Sequence, residues 1–468
     1  MIKVPTDIDE CIRLYKEEIS FDKNFDVIFR EFKIGMQKSC LFLLDGDAAS
    51  QVTTQIMRSF LEKQADVKKK FSADEVMSRL IPFVEVDAVD DMDEAIYAMM
   101  VGAVVLMIDG TGKAYIIDAK NYPQRDTSEP EKDKVIRGSR DGFVEITIFN
   151  AALIRRRIQS KHLMMERFSV GKSSRSDVVV SYMDDRCDKR LLQKIKDKIE
   201  NISIDALTMN QESLSESLFP PKWYNPLPKV RYSERPDKAS AALLEGNIVI
   251  IVDNSPSVMI LPAAMVDFLS EANDYYFPPF TGTYYRIVKT LLLIISIFLT
   301  PTWLWLLNNE AIIPPWLEVV KIKEPAMISV AVQLLIMEIV FEITRISTLN
   351  SPNVLGNAIG IVGGLLVGDF AVKSGWASAE TVFFMAFLEV SIYACPSFEL
   401  GYALKFFRMF LISMTALFDL AGLITASALI FILTATTKTV AGTGYFYPIC
   451  PLDVREILRN ITRGRLQR

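Results

Sequence analysis

The residues with the most constrained chemistry are charged side chains inside long apolar runs near the C-terminus. Glu338 and Glu342 lie one helical turn apart in the run from Pro325 to Ile343, and Arg345 follows shortly after Glu342. Spacings of three and four residues place side chains on one face of a helix. A charge in a bilayer core costs roughly 2.5–3.5 kcal/mol even on the lenient insertion scale, so such groups usually face a bundle interior or water.

The chemistry of these residues allows two interpretations. In the first, the carboxylates balance Arg345 and fix helix packing, so Glu342→Gln should destabilise the protein while Glu338→Gln matters little. In the second, they line a route for cations or carry a gating change, because carboxylates raise the local cation concentration. The second interpretation also applies to Glu389 and Asp419, which are single carboxylates in other apolar runs. The candidate pore or gating residues are Glu338, Glu342, Arg345, Glu389 and Asp419.

Motifs for catalysis or metal binding are incomplete. Gly171-Lys172-Ser173 resembles the end of a P-loop, but Glu166 stands where the first glycine is needed. The acidic cluster from Asp87 to Asp93 lacks the glycine and closing glutamate of a calcium loop. His162 is the single histidine, which excludes histidine-based triads and histidine-rich metal sites. We expect a protein that is not an enzyme, with no metal and no cofactor.

The apolar runs predict an integral membrane protein. Thr290–Leu307 is long enough to cross a bilayer and carries two tryptophans near its end. Pro325–Ile343 and Met409–Thr437 are further runs, the last interrupted only by Asp419. Thr381–Ala394 is short, and Val354–Val372 is rich in glycine.

A basic C-terminal tail and an N-terminus without an apolar signal segment predict that both ends are cytoplasmic, which requires an even number of crossings. We expect four spans, with Val354–Val372 as a re-entrant or interfacial element, because glycine suits close packing or broken backbone beside a cavity. The candidate hinge or helix-packing residues are Gly356, Gly360, Gly363, Gly364 and Gly368.

The composition of the whole chain indicates a soluble part joined to a membrane part. Half of the 468 residues are hydrophobic, yet 23% are charged. The net charge of −5 offers no basic field for nucleic acid. The five cysteines show no pairing or metal spacing, which fits a reducing compartment.

The N-terminal half contains a duplication. Glu94–Asp109 matches Lys238–Asp253, and in both a helix ends at glycine, Gly102 or Gly246, before a buried strand. This predicts two similar α/β subdomains, each a small mixed sheet with helices packed on it. The expected domains are subdomains at 1–135 and 136–280, a membrane domain at 281–438 and a basic tail at 439–468.

Three consecutive arginines, Arg155, Arg156 and Arg157, end a predicted helix from Phe143 to Ile158. In one interpretation the three side chains are solvated at the C-terminal end of the helix and interact favourably with the helix dipole. Alternatively they form a subunit contact, or bind an acidic protein or anionic lipid head groups.

Five segments resemble the A subunits of GerA-type spore germination receptors, in the same order and over nearly the whole chain. They are GSRDGFVEITIFNAALIRRRI (Gly138 to Ile158) and the segments Arg231 to Pro262, Met337 to Arg345, Ile359 to Val372 and Pro396 to Arg408. Within that family, Asp205–Leu214, Trp223–Tyr232 and Asp274–Arg286 resemble the branch of stage V sporulation protein AF.

The resemblance implies a protein of the spore inner membrane with a two-part cytoplasmic region and a polytopic membrane region. It implies an accessory A-subunit-like protein that promotes ion release at germination as a homo-oligomer, in contact with membrane lipid and other germination membrane proteins. A stand-alone secondary transporter and a non-conducting scaffold for germination receptors are the alternatives. A transporter usually repeats its membrane halves, whereas the duplication here lies outside the apolar runs.

Overall fold

A computed structural model of the protein contains two compact units. Unit 1 comprises Met1–Pro220 and Val230–Pro262, and unit 2 comprises Pro221–Lys229 and Ala263–Arg468. The structure describes residues 2–46, 50–64, 70–120, 139, 141–269, 277–349, 368–392 and 394–461.

Unit 1 contains the two copies of the duplication. The first copy consists of α1 (Ile8–Glu18), β1 (Val27–Ile34), β2 (Gln37–Leu44), α2 (Ser50–Gln64), α3 (Ala73–Glu75, followed by a π-helical turn at Val76–Leu80), β3 (Val86–Val89), α4 (Met92–Met100), β4 (Val104–Ile108) and β5 (Ala114–Ile117). The second consists of α5 (Thr147–Arg155), β6 (Leu163–Val170), β7 (Ser176–Met183), α6 (Lys189–Glu200), α7 (Gln211–Leu218), β8 (Arg231–Ser233), α8 (Pro236–Leu244), β9 (Ile248–Val252) and β10 (Val258–Leu261).

Each copy forms a five-stranded sheet, with strand order β1-β2-β4-β5-β3 in the first and β6-β7-β9-β10-β8 in the second. The two orders are the same, which confirms the predicted similarity of the subdomains. All pairings between these strands are antiparallel, so the predicted mixed sheets are wrong. Short turns join β1 to β2 and β4 to β5, and such hairpins favour antiparallel neighbours.

The two matched glycines end their helices as predicted. Gly102 follows α4 with φ 96° and Gly246 follows α8 with φ 95°, both in the left-handed region that favours glycine. A Cβ atom on Gly246 would also lie 2.8 Å from the carbonyl oxygen of Arg186. The strands that follow, β4 and β9, are buried at every position, as the continuous apolar runs predict.

Unit 2 is helical. Its principal helices are α9 (Pro279–Asn308), α10 (Val330–Leu349), α11 (Ala379–Ile392), α12 (Phe398–Thr436) and α13 (Val454–Ile461). Among the described residues, α9 and α12 are the two helices long and apolar enough to cross a membrane by length and composition. The glycine-rich segment lies mostly outside the described residues.

The helix α12 reverses direction at Asp419, whose φ of 52° and ψ of −133° are not helical. A Cβ atom on Gly422 would overlap the carbonyl oxygen of Met414, although a straight helix would separate these residues by about two turns. Ile430 also packs with the cluster that contains Leu400. The last apolar run is therefore a hairpin of two helices, α12a (398–418) and α12b (420–436), and not one span.

Helices α10 and α11 run parallel. At one end, Gln333 Oε1 accepts a hydrogen bond from the Ser378 amide at 2.9 Å, and at the other Arg345 pairs with Glu389. The predicted re-entrant or interfacial element at 354–372 lies outside the described residues up to position 367 and stays a prediction.

Candidate functional site

The candidate site is a buried group of charges between α10, α11 and α12a, called here the charge network. Its members are Glu338, Glu342, Arg345, Glu389, Lys405 and Arg408.

The deepest contact joins Glu338 to Arg408. Arg408 Nε donates to Glu338 Oε1 at 2.5 Å, and the side chain of each residue is 1% exposed. Arg408 Nη1 donates to the carbonyl oxygen of Ser296 in α9 at 3.0 Å. Lys405 Nζ lies 3.5 Å from Glu338 Oε2. Three helices are therefore tied together by one arginine and one glutamate.

Glu342 lies one turn farther along α10 and is partly exposed. Lys405 Nζ donates to its Oε2 at 2.7 Å, and the Tyr402 hydroxyl donates to its Oε1 at 2.8 Å. Arg345 Nη1 is farther away, at 3.9 Å from Glu342 Oε2. Lys405 thus lies between the two carboxylates of α10 and contacts both.

Arg345 donates a hydrogen bond to Glu389 of α11 and lies over the ring of Tyr402, with 5.3 Å between the guanidinium carbon and the ring centroid. The sequence interpretation in which Arg345 alone balances Glu338 and Glu342 is therefore wrong. Each carboxylate has its own principal cation, and for the two glutamates of α10 that cation comes from α12a.

The charge network is electrically balanced, with three carboxylates against three cations. Removing one partner of a buried pair leaves an uncompensated charge and is strongly destabilising. Within the part of the chain that the structure describes, Glu338 Oε2, Glu389 Oε2 and Arg408 Nη2 are buried without a hydrogen-bond partner. The arrangement can hold the helices in one register.

Asp419 is not part of the charge network. It lies at the turn of the α12 hairpin, where its carboxylate accepts hydrogen bonds from Asn309 Nδ2 at 3.0 Å and Asn308 Nδ2 at 3.3 Å. These contacts hold the turn against the C-terminal end of α9. Its position is explained by the chain reversal.

Of the five candidate glycines, four lie outside the described residues: Gly356, Gly360, Gly363 and Gly364. Gly368 is described, and a Cβ atom there would lie 3.5 Å from Val382 Cγ1 of α11. This is an ordinary van der Waals distance, so a Cβ atom fits at this position and the contact with α11 does not require glycine.

The three consecutive arginines have different environments. Arg155 is 1% exposed and pairs with Asp26 in the first copy, so it is not available as a subunit contact. Arg157 Nη2 lies 2.5 Å from Asp141 Oδ2. Burial acts to raise the pKa of Asp141, but hydrogen bonds from Ser139 and Arg157 lower it below its usual value. Arg156 alone of the three is exposed.

Sequence reasoning missed Tyr402, Lys405 and Arg408. They belong to the segment Pro396 to Arg408, which entered the sequence analysis as a segment of family resemblance and not as a source of charge partners. Charge balance could have identified them. Carboxylates in apolar helices need cations, and α10 carries the two carboxylates Glu338 and Glu342 but only one cation, Arg345. Among the described residues, no group of three or more histidine, cysteine, aspartate or glutamate side chains could hold a metal ion.

Comparison with known proteins identifies relatives along the whole chain. The family model described as Bacillus/Clostridium GerA spore germination protein matches residues 16–468. Stage V sporulation protein AF of Bacillus subtilis (strain 168) is 30% identical, with 98% of this chain and 95% of that protein covered. Spore germination protein KA of the same organism is 28% identical, with 92% and 79% covered.

One crystal structure is also similar, that of the N-terminal domain of the A subunit of the Bacillus megaterium spore germinant receptor GerK3. It shares 21% sequence identity, with 55% of this chain and 96% of that chain covered, and the TM-score is 0.41.

Proposed function

Because this chain belongs to the Bacillus/Clostridium GerA family of spore germination proteins, we propose that it is a membrane protein that promotes ion release during endospore germination. It acts as an accessory, A-subunit-like component in the spore inner membrane, as a homo-oligomeric channel in contact with lipid and other germination membrane proteins. Relatives named as spore germination proteins support the germination role.

The charge network carries the mechanistic part of this proposal. Its carboxylates are paired with cations inside one chain, so they offer little free negative charge for attracting cations. A conducting path therefore runs between copies of the chain, and the charge network acts as the gating element that sets the helix register. Oligomerisation completes the path.

We propose that helices α9, α10, α11, α12a and α12b each cross the membrane, one crossing more among the described residues than the four spans expected from sequence. With an even total, as expected from sequence, both chain ends lie on one side, which we assign to the spore core.

Two alternatives remain distinct from a channel. A stand-alone secondary transporter is disfavoured because the repeat in this chain lies in unit 1, while transporters repeat their membrane halves. A non-conducting scaffold for germination receptors would use the same helices without passing ions.

Glu342→Gln tests gating in spores, with ion release and membrane abundance measured together. The partly exposed Glu342 can keep the Tyr402 hydrogen bond as an amide, so we expect abundance near normal and an altered rate of ion release. Glu380→Gln, at the first turn of α11 and outside the charge network, is the control. Normal release at normal abundance in Glu342→Gln would contradict gating.

Liposomes containing the purified chain then separate the three functional classes. A channel between copies conducts as an oligomer, a transporter works as a monomer, and a scaffold gives no flux. The particle mass in detergent identifies the oligomer.

Introduced cysteines test the orientation. Cys11 and Cys187 are poor reporters, because burial raises the pKa of the Cys11 thiol to about 12 and also raises that of Cys187, and the thiolate is the reactive form. Met36 and Trp316 are 66% and 79% exposed, in unit 1 and between α9 and α10. In intact membranes an impermeant reagent outside should label Trp316→Cys and spare Met36→Cys. The reverse pattern would invert the topology.

A further inference from the structure

Helices α9 and α12a lie side by side in a fixed parallel register. At one level Arg408 Nη1 donates to the Ser296 carbonyl, with a sequence separation of 112. Near the far end Asn309 Nδ2 donates to Asp419, with a separation of 110. The interface therefore runs from the charge network to the turn of the hairpin.

Two hydroxyl groups along these helices are buried without a partner. Thr300 and Thr415 are each 0% exposed, and neither Oγ1 has a hydrogen-bond partner among the described residues. Threonine in a helix commonly donates to the carbonyl four residues before it, as Thr425 does to Ala421 at 2.8 Å. The carbonyl four residues before Thr300 belongs to Ser296, which already accepts from Arg408.

Further polar atoms lie on the same route. Arg408 Nη2 is a buried donor without a partner in the described part of the chain. Pro301 has no N–H, so it cannot donate to the carbonyl of Ile297 as a helical residue would. The interface thus presents both donors and acceptors, which is what a bound water molecule requires.

The levels of these groups along the helix axes follow from the register. At about 1.5 Å per residue, Thr300 lies about 6 Å beyond the level of Ser296 and Arg408, Thr415 about 10 Å and Asp419 about 16 Å. Successive levels are therefore about 4–6 Å apart along the axis, while one bridging water spans about 5.6 Å through two hydrogen bonds of about 2.8 Å.

We propose that this interface is a water-binding site, named here the polar seam and defined by Ser296, Thr300, Arg408, Thr415 and Asp419. Bound waters satisfy the two threonine hydroxyls and Arg408 Nη2, and they connect the charge network with the hairpin turn. The seam gives Glu338 and Arg408 contact with water at a depth where the surrounding side chains are apolar. This inference goes beyond the germination function and holds whether or not the protein conducts ions.

Water-edited solid-state NMR of the full chain in lipid bilayers tests the seam directly. With ¹³C-labelled threonine, magnetisation from water should reach Thr300 and Thr415 severalfold faster than it reaches Thr425, which faces outward on α12b. The variants Thr300→Val, Thr415→Val and Thr425→Val identify the three signals. Transfer to Thr300 and Thr415 as slow as transfer to Thr425 would overturn the proposal.

The thermal stability of the same variants provides a second test. The sign of the change in Tm distinguishes a hydrated seam from a dry one. Valine has the shape of threonine without the hydroxyl. In a dry seam its introduction removes an unsatisfied polar group and raises or preserves Tm. In a hydrated seam it displaces bound water from its remaining partners, so Thr300→Val and Thr415→Val should lower Tm relative to Thr425→Val. A rise in Tm in both variants would contradict bound water.

Discussion

Replacement of Arg408 with alanine is expected to remove most of the folded protein from the membrane. Arg408 is the principal cation for Glu338 and also donates to the Ser296 carbonyl, so its loss leaves a buried carboxylate without its principal cation and removes the contact with α9. Breaking a buried pair costs about 3–5 kcal/mol, a large part of a typical stability of about 5–15 kcal/mol. Membrane abundance measured by immunoblot, beside a thermal unfolding curve in detergent, checks this result.

The double variant Glu338→Leu with Arg408→Met is the matched control. Apolar residues of similar volume often replace a buried ion pair without loss of stability, so abundance should recover while Arg408→Ala alone stays depleted. Unchanged abundance in Arg408→Ala would show that the pair contributes little. Restored abundance of the double variant with altered ion release would show that the pair has a role in gating besides its role in helix packing.

The same geometry reverses an expectation drawn from sequence. Glu338→Gln should lower abundance more than Glu342→Gln, because Glu338 is 1% exposed at its side chain and Glu342 is 25% exposed. The sequence interpretation ranked them the other way by their distance from Arg345 along α10. A helical wheel places charges on a face, but it does not identify which helix packs against that face.

The predictable parts of the fold are local or repeated. Matching segments in the two halves predicted two similar subdomains, and the left-handed glycines Gly102 and Gly246 followed from helix ends. Strand direction depends on how non-adjacent segments pair, and the sequence pattern of a buried strand is the same either way. The sequence pattern therefore could not decide between mixed and antiparallel sheets.

The α12 hairpin was also hidden by composition. Hydropathy measures length and apolarity, and Asp419 interrupts the run as a single charge would in a continuous span. The reversal depends on a left-handed backbone at that residue and on Asn308 and Asn309 at the end of a distant helix. Those partners become visible only after the helices are assembled.

In unit 1 the largest effect is expected from Asp26→Asn. Asp26 accepts from Arg155 Nε at 2.7 Å and Nη2 at 3.0 Å, and both side chains are buried. Arg155 also donates to Asn24 Oδ1, which accepts from the Met165 amide at the start of the second sheet. The arginine thus joins the two copies of the duplication, and its charge has no access to water.

Asparagine keeps the shape of Asp26 but removes the charge that balances Arg155, at a cost of about 3–5 kcal/mol. Amide hydrogen exchange in the full chain should show protection in β1 and β6 falling by about two to four orders of magnitude. Asp141→Asn is the matched control, because its pair with Arg157 is 22–29% exposed and should contribute less than about 1 kcal/mol. Equal losses of protection in the two variants would show that the buried pair does not hold the copies together, and that apolar packing does so instead.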